Sequence, residues 1–316
     1  MKTVLISKRL PDSVLADVAA RYDMTLRDSE ASMTEAEVTL ALSLYDAILP
    51  TLGDQFSTVA INKCANPRTT LLANFGVGYN HIDAVAAKAK GITVTNTPGA
   101  VTDATADIAM TLMLMTARRA GEGERMLRAG RWKGWQPTQM LGLHVSGKTV
   151  GIIGMGRIGQ AIAHRARLGF GCKIVFANRS EKSVEGATQL SDPGAVARAS
   201  DVVVIATPGG AETRHLIDGA FLSQMQRHAI LINISRGDVI DEAALIGALN
   251  ARQLAGAGLD VYEHEPIVPP EMIDMENVTL LPHLGTAALD VREGMGRMAV
   301  ANIDAHFAGK DVLNPV

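Results

Sequence analysis

Short apolar runs separated by helix-length segments recur from one end of this chain to the other. Thr3 to Ile6, Asp46 to Leu49, Leu71 to Asn74 and Ile92 to Asn96 read as strands. Strands alternating with helices predict a parallel sheet. Val101 to Ala117 then reads as one long apolar helix, with Asp103 and Asp107 in its early part and Arg118-Arg119 at its end, charges that match the macrodipole. Lys148 to Ile153 reads as a buried strand, uncharged after Lys148. Strands recur at Lys173 to Ala177, Asp201 to Ala206, Ala229 to Ile234, Gly256 to Asp260 and Val278 to Leu281. With the 148–153 run these make a six-strand doubly wound set. A last helix, Leu289 to Phe307, could return the chain to the first domain.

Between the strand at 148–153 and an amphipathic stretch with Ile158, Ala161, Ile162 and Leu168 at helical spacing lies Gly154-Met155-Gly156-Arg157-Ile158-Gly159. It fits G-x-G-x-x-G in the strand–turn–helix context that makes the motif informative, and Gly169 reads as the helix stop. Gly154 allows the tight turn, Gly156 removes a side chain where backbone must approach a pyrophosphate, and Gly159 lets helix and strand pack closely. The helix N-terminus faces the phosphates. About 20 residues further on, where an acid would hold the ribose 2′-hydroxyl of NAD, stand Asn178-Arg179-Ser180. A guanidinium can pair with a 2′-phosphate that an acid would repel, so NADP is preferred, with NAD possible. The expected architecture is α/β, two Rossmann/flavodoxin-like doubly wound domains: 1–100 plus 288–316, and an inserted dinucleotide-binding domain at 101–287. The active site is expected in the cleft between them.

Composition narrows the class without changing this picture. At 316 residues, two domains are the prior expectation. A net charge of −3 and a pI of about 6.2 give no footprint for nucleic acid or an anionic membrane. Cys64 and Cys172 stand in no metal-type or redox-type spacing and suit a reducing compartment as buried thiols, so no metal is expected. The first residues meet Lys8 and Arg9 too soon for a signal peptide, and no apolar run reaches about 18 residues. The expected location is the cytoplasm.

Three strand ends of the second domain deliver candidate chemistry: Asn233 to Gly237, Gly258 to Pro266, and Leu281 to Thr286. Ligands bind outside such carboxyl ends. Arg236 offers a planar cationic fork for a carboxylate, His283 a proton near working pH, and either Glu263 or Glu265 an acid beside it. Arg236 could instead pair with Asp241, and a lone His is usually structural.

Together Gly154 to Gly159, Arg236-Gly237, Asp260 with Glu265-Pro266, and Pro282-His283 resemble the D-isomer-specific 2-hydroxyacid dehydrogenases, and within them the glyoxylate/hydroxypyruvate reductases. The resemblance covers essentially the whole chain, through Asn74 to Asp83, Asn96-Thr97-Pro98 and Thr102 to Asp107. It implies Arg236, Glu265 and His283 as the catalytic set and selects Glu265 over Glu263. It implies that the amides of Val77 and Gly78 hold the substrate carboxylate, for which Gly76 and Gly78 leave room, with Arg236 and His283 also on the substrate. Val77, Thr105, Thr207, Pro208 and Asp260 then approach the cofactor, together with Gly154, Met155, Gly156, Arg157, Ile158, Gly159, Asn178, Arg179 and Ser180. Asp260 would accept from the nicotinamide carboxamide.

The same resemblance implies a homodimer built through an arm near 120–145 that carries Trp132 and Trp135, with Trp135 reaching the partner's substrate pocket. Packing within the subunit is the competing account of that tryptophan pair. One departure is Ala287-Ala288, where relatives often carry a hydroxyl residue. The expected activity is NADPH-dependent reduction of glyoxylate or hydroxypyruvate to the 2-hydroxy acid. Alternatives are a D-lactate-type or bulkier 2-keto acid reductase on the same scaffold, formate oxidation, and a dinucleotide-sensing corepressor.

Overall fold

The computed structural model describes all 316 residues as two compact units, Met1–Val101 with Thr286–Val316, and Thr102–Gly285. In the first unit β1 (Thr3–Ile6), α1 (Asp12–Ala19), β2 (Asp23–Leu26), α2 (Glu35–Leu44), β3 (Ala47–Leu49), α3 (Thr58–Lys63), β4 (Leu71–Ala73), α4 (Ala84–Ala89) and β5 (Thr93–Thr95) follow in order. All five strands are parallel, in the order β2-β1-β3-β4-β5.

The second unit begins with α5 (Thr102–Ala117) and α6 (Ala120–Arg128). It continues through β6 (Thr149–Ile153), α7 (Arg157–Phe170), β7 (Lys173–Ala177), β8 (Ala187–Gln189), α8 (Pro193–Ala199), β9 (Val202–Ile205), α9 (Gly219–Leu222) and β10 (Ile230–Asn233). α10 (Glu242–Asn250), β11 (Gly256–Leu259), α11 (Pro270–Ile273) and β12 (Val278–Leu280) complete it. Its sheet runs β12-β11-β10-β9-β6-β7-β8, again all parallel. Both orders reverse beside their first strand, at β1/β3 and at β6/β9, which makes each sheet doubly wound.

Strand residues alternate between two cores, because successive side chains in a strand point to opposite faces. Val203 and Ile205 of β9 enter one core with Leu231 and Leu259, while Val202 and Val204 enter the other with Met113 of α5 and Ile162 of α7. In the first unit Leu5 packs on the α2–α3 side, and Val4 and Ile6 face Val14, Val18, Ala299, Val300 and Ile303. The last three belong to α12 (Leu289–Phe307), which follows the second unit in sequence. A Cβ on Gly296 would lie 2.3 Å from Val14, so α1 and α12 approach at glycine distance. Beyond α12, Pro315 bridges antiparallel to Thr95, and buried Asn302 accepts the amides of Leu313 and Asn314 at 2.9 and 3.0 Å.

Two strands differ from the sequence-based set. β2 and β8 are short edge strands whose side chains are at best half-buried, so no apolar run marks them, and the second sheet has seven strands rather than six. The helix after the glycine turn passes through Gly169 and stops at Gly171, which takes the left-handed conformation at φ 63°. Cys64 and Cys172 are buried free thiols. No helix is long and apolar enough to cross a membrane.

Asp46, buried at the start of β3, accepts the Thr3 amide at 2.8 Å and its hydroxyl at 2.9 Å, and pairs with Arg68 at 2.9 Å and Lys2 at 3.3 Å. Burial alone would push this carboxyl up, but those bonds outweigh it and hold the group well below the usual range. The resulting stabilisation is complete above the ordinary carboxylate pKa of about 4 and is lost as acid protonates the folded form. Asp46→Ala should destabilise the first unit by about 1–3 kcal/mol at neutral pH, with a smaller difference in acid, as read by denaturant titration.

Candidate active site

The glycine turn is shaped by close contacts that permit no side chain. Gly154 sits at φ 98°, and a Cβ there would lie 2.7 Å from the backbone of Thr207. A Cβ on Gly159 would lie 2.3 Å from the Gly154 carbonyl oxygen, so the first turn of α7 rests directly on the strand end. Gly156, by contrast, faces open space. α7 starts there without a side-chain cap and without an acid in its first turn, leaving N–H groups and a positive helix end for an anion. The residues present therefore fit a dinucleotide diphosphate.

At the end of β7, Asn178 Oδ1 accepts the Met155 amide at 3.2 Å, and its Nδ2 donates to the carbonyl and hydroxyl oxygens of Ser180. Arg179 is almost fully exposed and pairs with Glu212, a carboxylate that a bound phosphate would have to displace. Lys182, which motif reading missed, donates from Nζ to the Met155 carbonyl at 3.0 Å. Its signal in the sequence is a second cation three residues past Arg179.

At the end of β10, buried Asn233 folds the following backbone into a turn by donating to the Arg236 carbonyl at 3.0 Å and accepting the Ser235 amide at 3.0 Å. Gly209 leaves room for the Arg236 side chain, since a Cβ there would meet Arg236 Cγ at 2.7 Å. Arg236 Nη1 donates to the Ser235 carbonyl at 2.7 Å; Asp241 is occupied instead as the N-cap of α10. Burial pushes the Arg236 guanidinium down, while the charges of Glu265 and Asp238 oppose it. A cation so placed gains from an anionic ligand.

Directly after β11 comes Asp260, only 1% exposed, whose two carboxylate oxygens accept the amides of Leu284 at 2.6 Å and Gly285 at 2.8 Å. Thr105 donates to the Gly285 carbonyl at 3.2 Å. These bonds hold the segment that carries His283, which adopts φ 54°, a conformation uncommon outside glycine. His283 Nδ1 lies 2.9 Å from Glu265 Oε2, and Nε2 has no partner within the protein.

Glu265 also accepts the Tyr262 amide at 3.1 Å. Its burial works against the charge, but the His283 bond and charge, that amide and Arg236 prevail, so the carboxyl is held below its usual range and stays ionised in mild acid. Glu263, the rival left open by the residues alone, turns away to accept from His215 at 2.8 Å and Arg214 at 2.9 Å. The Asp260 carboxyl is pushed up by burial, against the two amides and the His283 charge.

In the first unit, the carbonyls of the 76–78 loop are taken by side chains. Asn74 Nδ2 donates to Gly76 and Gly78 at 3.0 and 3.1 Å, and Asn96 Nδ2 donates to Val77 at 2.9 Å. The N–H groups of Val77 and Gly78 make no hydrogen bond within the protein. Trp135 and Trp132 are 80% and 51% exposed in a segment without helix or strand, so neither is a core residue.

A doubly wound sheet with a glycine turn, an uncapped helix end and an Arg–Glu–His set beyond its strands defines a nicotinamide dinucleotide oxidoreductase. The family model for the NAD binding domain of D-isomer specific 2-hydroxyacid dehydrogenases matches residues 110–285, and the chain belongs to that family. It is 40% identical to the glyoxylate reductase of Thermococcus kodakarensis, with 97% of this chain and 93% of that protein covered. It is 36% identical to the glycerate dehydrogenase of Hyphomicrobium methylovorum, covering 98% of each. Among solved structures, an NADPH-dependent glyoxylate/hydroxypyruvate reductase from Sinorhizobium meliloti, in complex with NADP and malonate, superposes with a TM-score of 0.90 at 35% identity, over 100% of this chain and 96% of that one.

Replacing Gly159 by Val should weaken dinucleotide binding, because the added carbons drive α7 off the Gly154 carbonyl. Fluorescence titration with NADH and NADPH would read this as a loss of about tenfold or more in affinity, with unchanged circular dichroism.

Proposed function

We propose that this protein reduces small 2-keto acids, glyoxylate or hydroxypyruvate first, to the 2-hydroxy acid, with NADPH preferred over NADH. The observation that carries the reading is the His283–Glu265 hydrogen bond at 2.9 Å, with Nε2 left unpartnered and Arg236 supplied by the neighbouring strand end. The names of the glyoxylate reductases among its relatives support the substrate.

A reduced nicotinamide, when bound, would supply the hydride that the carbonyl carbon receives. The free amides of Val77 and Gly78 take the substrate carboxylate, and Arg236 adds a fixed positive charge to the carboxylate and the carbonyl oxygen. His283 gives a proton from Nε2 to that oxygen as the carbon–oxygen double bond becomes single, completing the hydroxy acid. Glu265 orients the ring through Nδ1 and stabilises its charged form. Asp260 holds the His283 segment and would accept from the carboxamide of a bound nicotinamide.

Preference for NADPH rests on Arg179, with Ser180 as a neutral donor, in place of the acid that NAD binding favours. Val77, Thr105, Thr207 and Pro208 complete the cofactor contacts. The protein acts as a homodimer, with exposed Trp135 offered to the substrate pocket of the second copy.

Steady-state kinetics across a panel of 2-keto acids with both cofactors tests this directly; no turnover of glyoxylate or hydroxypyruvate would sink the substrate assignment. His283→Ala should lower kcat by about 10²–10⁴-fold. Glu265→Gln should weaken reduction while the wild type keeps its rate into mild acid, because the Glu265 carboxyl is held below its usual range. Arg179→Ala should raise KM for NADPH by about tenfold or more, from a charged contact worth on the order of 1.5 to 3 kcal/mol, and leave KM for NADH nearly unchanged. Equal effects on both cofactors would refute the preference.

A further inference from the structure

Glu242, outside every motif described above, opens α10 directly after the Asp241 cap. A carboxylate in a helix's first turn ordinarily sits in solvent and complements the dipole. Glu242 is instead buried, only 8% exposed, and a buried carboxylate has to be hydrogen-bonded. Its Oε1 accepts the amide of Glu263 at 2.8 Å.

That amide belongs to the peptide unit between Tyr262 and Glu263, which is constrained from another side as well. A Cβ on Gly237 would lie 1.8 Å from the Tyr262 carbonyl carbon and 2.3 Å from the Glu263 nitrogen, so the turn after Arg236 presses directly on this peptide. The preceding amide, of Tyr262, is held by Glu265 itself. The Tyr262 hydroxyl donates to the Leu281 carbonyl at 2.9 Å, two residues before His283. The Glu263 side chain is engaged by His215 and Arg214 and leaves its own amide to Glu242. Rotation of this one peptide unit would carry Glu265 off His283.

We infer that Glu242 is a positioning residue for the Glu265–His283 pair, acting through the Glu263 amide. The inference rests on the reductase reading for its catalytic consequence. What Glu242 supplies is an acceptor oxygen at a fixed place, not a charge. Burial pushes its carboxyl up, as do the charges of Glu263 and Glu265, against the Glu263 amide and His264. Charged or neutral, it keeps an oxygen for the bond.

Two substitutions separate acceptor from charge. Glu242→Gln keeps the oxygen in place and loses the charge; Glu242→Asp keeps the charge and withdraws the oxygen by one methylene. The Gln variant should retain wild-type kcat within about twofold, while the Asp variant should lose about tenfold or more in kcat with KM for the dinucleotide nearly unchanged. A wild-type kcat in the Asp variant, or an equal loss in the Gln variant, overturns the inference. Amide exchange at Glu263 gives a readout independent of turnover: faster in the Asp variant, protected in the Gln variant, with equal protection again overturning it. If the wild type reduces no 2-keto acid, the reductase reading falls, and the exchange comparison still decides whether Glu242 holds the turn.

Discussion

One buried carboxylate holds the chemical end of this sheet together. Asp260 closes β11 and binds two successive amides of the segment leaving β12, so the ends of neighbouring parallel strands are tied by charge-assisted bonds in a dry place. His283 keeps its left-handed backbone because the residues after it are fixed in this way. Those amides oppose the cost of burying Asp260 without cancelling it, and its carboxyl stays pushed up by burial. Without that anchor, neither the His283–Glu265 distance nor the direction of the free ring nitrogen would be determined.

The dinucleotide end uses the opposite device, absence rather than attraction. Gly154, Gly156 and Gly159 each remove a side chain for a different reason: a positive φ against Thr207, open space at a helix end, and contact with a carbonyl oxygen. Uncapped amides at the start of α7 would be a defect in an ordinary helix. Here they are the part of the sheet that an anion can complete.

Much of this was legible in the sequence because it depends on local rules. The glycine turn, the buried strands and α12 follow from residue type and spacing, and the turn after β6 has the geometry its glycines require. What was not legible depends on position in the sheet or on distant partners. β2 and β8 lie at edges and carry no continuous apolar run. Gly169 and Gly171 are equally good helix stops on paper, and only the packing of α7 selects the second. Glu263 and Glu265 are two residues apart, and the turn between them sends one to His215 and the other to His283. Lys182 and Glu242 act through backbone groups of Met155 and Glu263, contacts that no motif encodes.

The placement of α12 reaches beyond the folded state. Ala299, Val300 and Ile303 form part of the core around Val4 and Ile6, yet they lie after all of Thr102–Gly285 in the chain. During synthesis the second unit, being continuous, can bury its own apolar surface as soon as it emerges. The first unit cannot: its β1–β3 face has α1 but lacks the α12 part of its cover until that helix has been made, and β5 waits longer still for Pro315 and Val316. The first unit is therefore sealed only after the second has been made, and its strands wait for their covering helix through the translation of Thr102–Gly285.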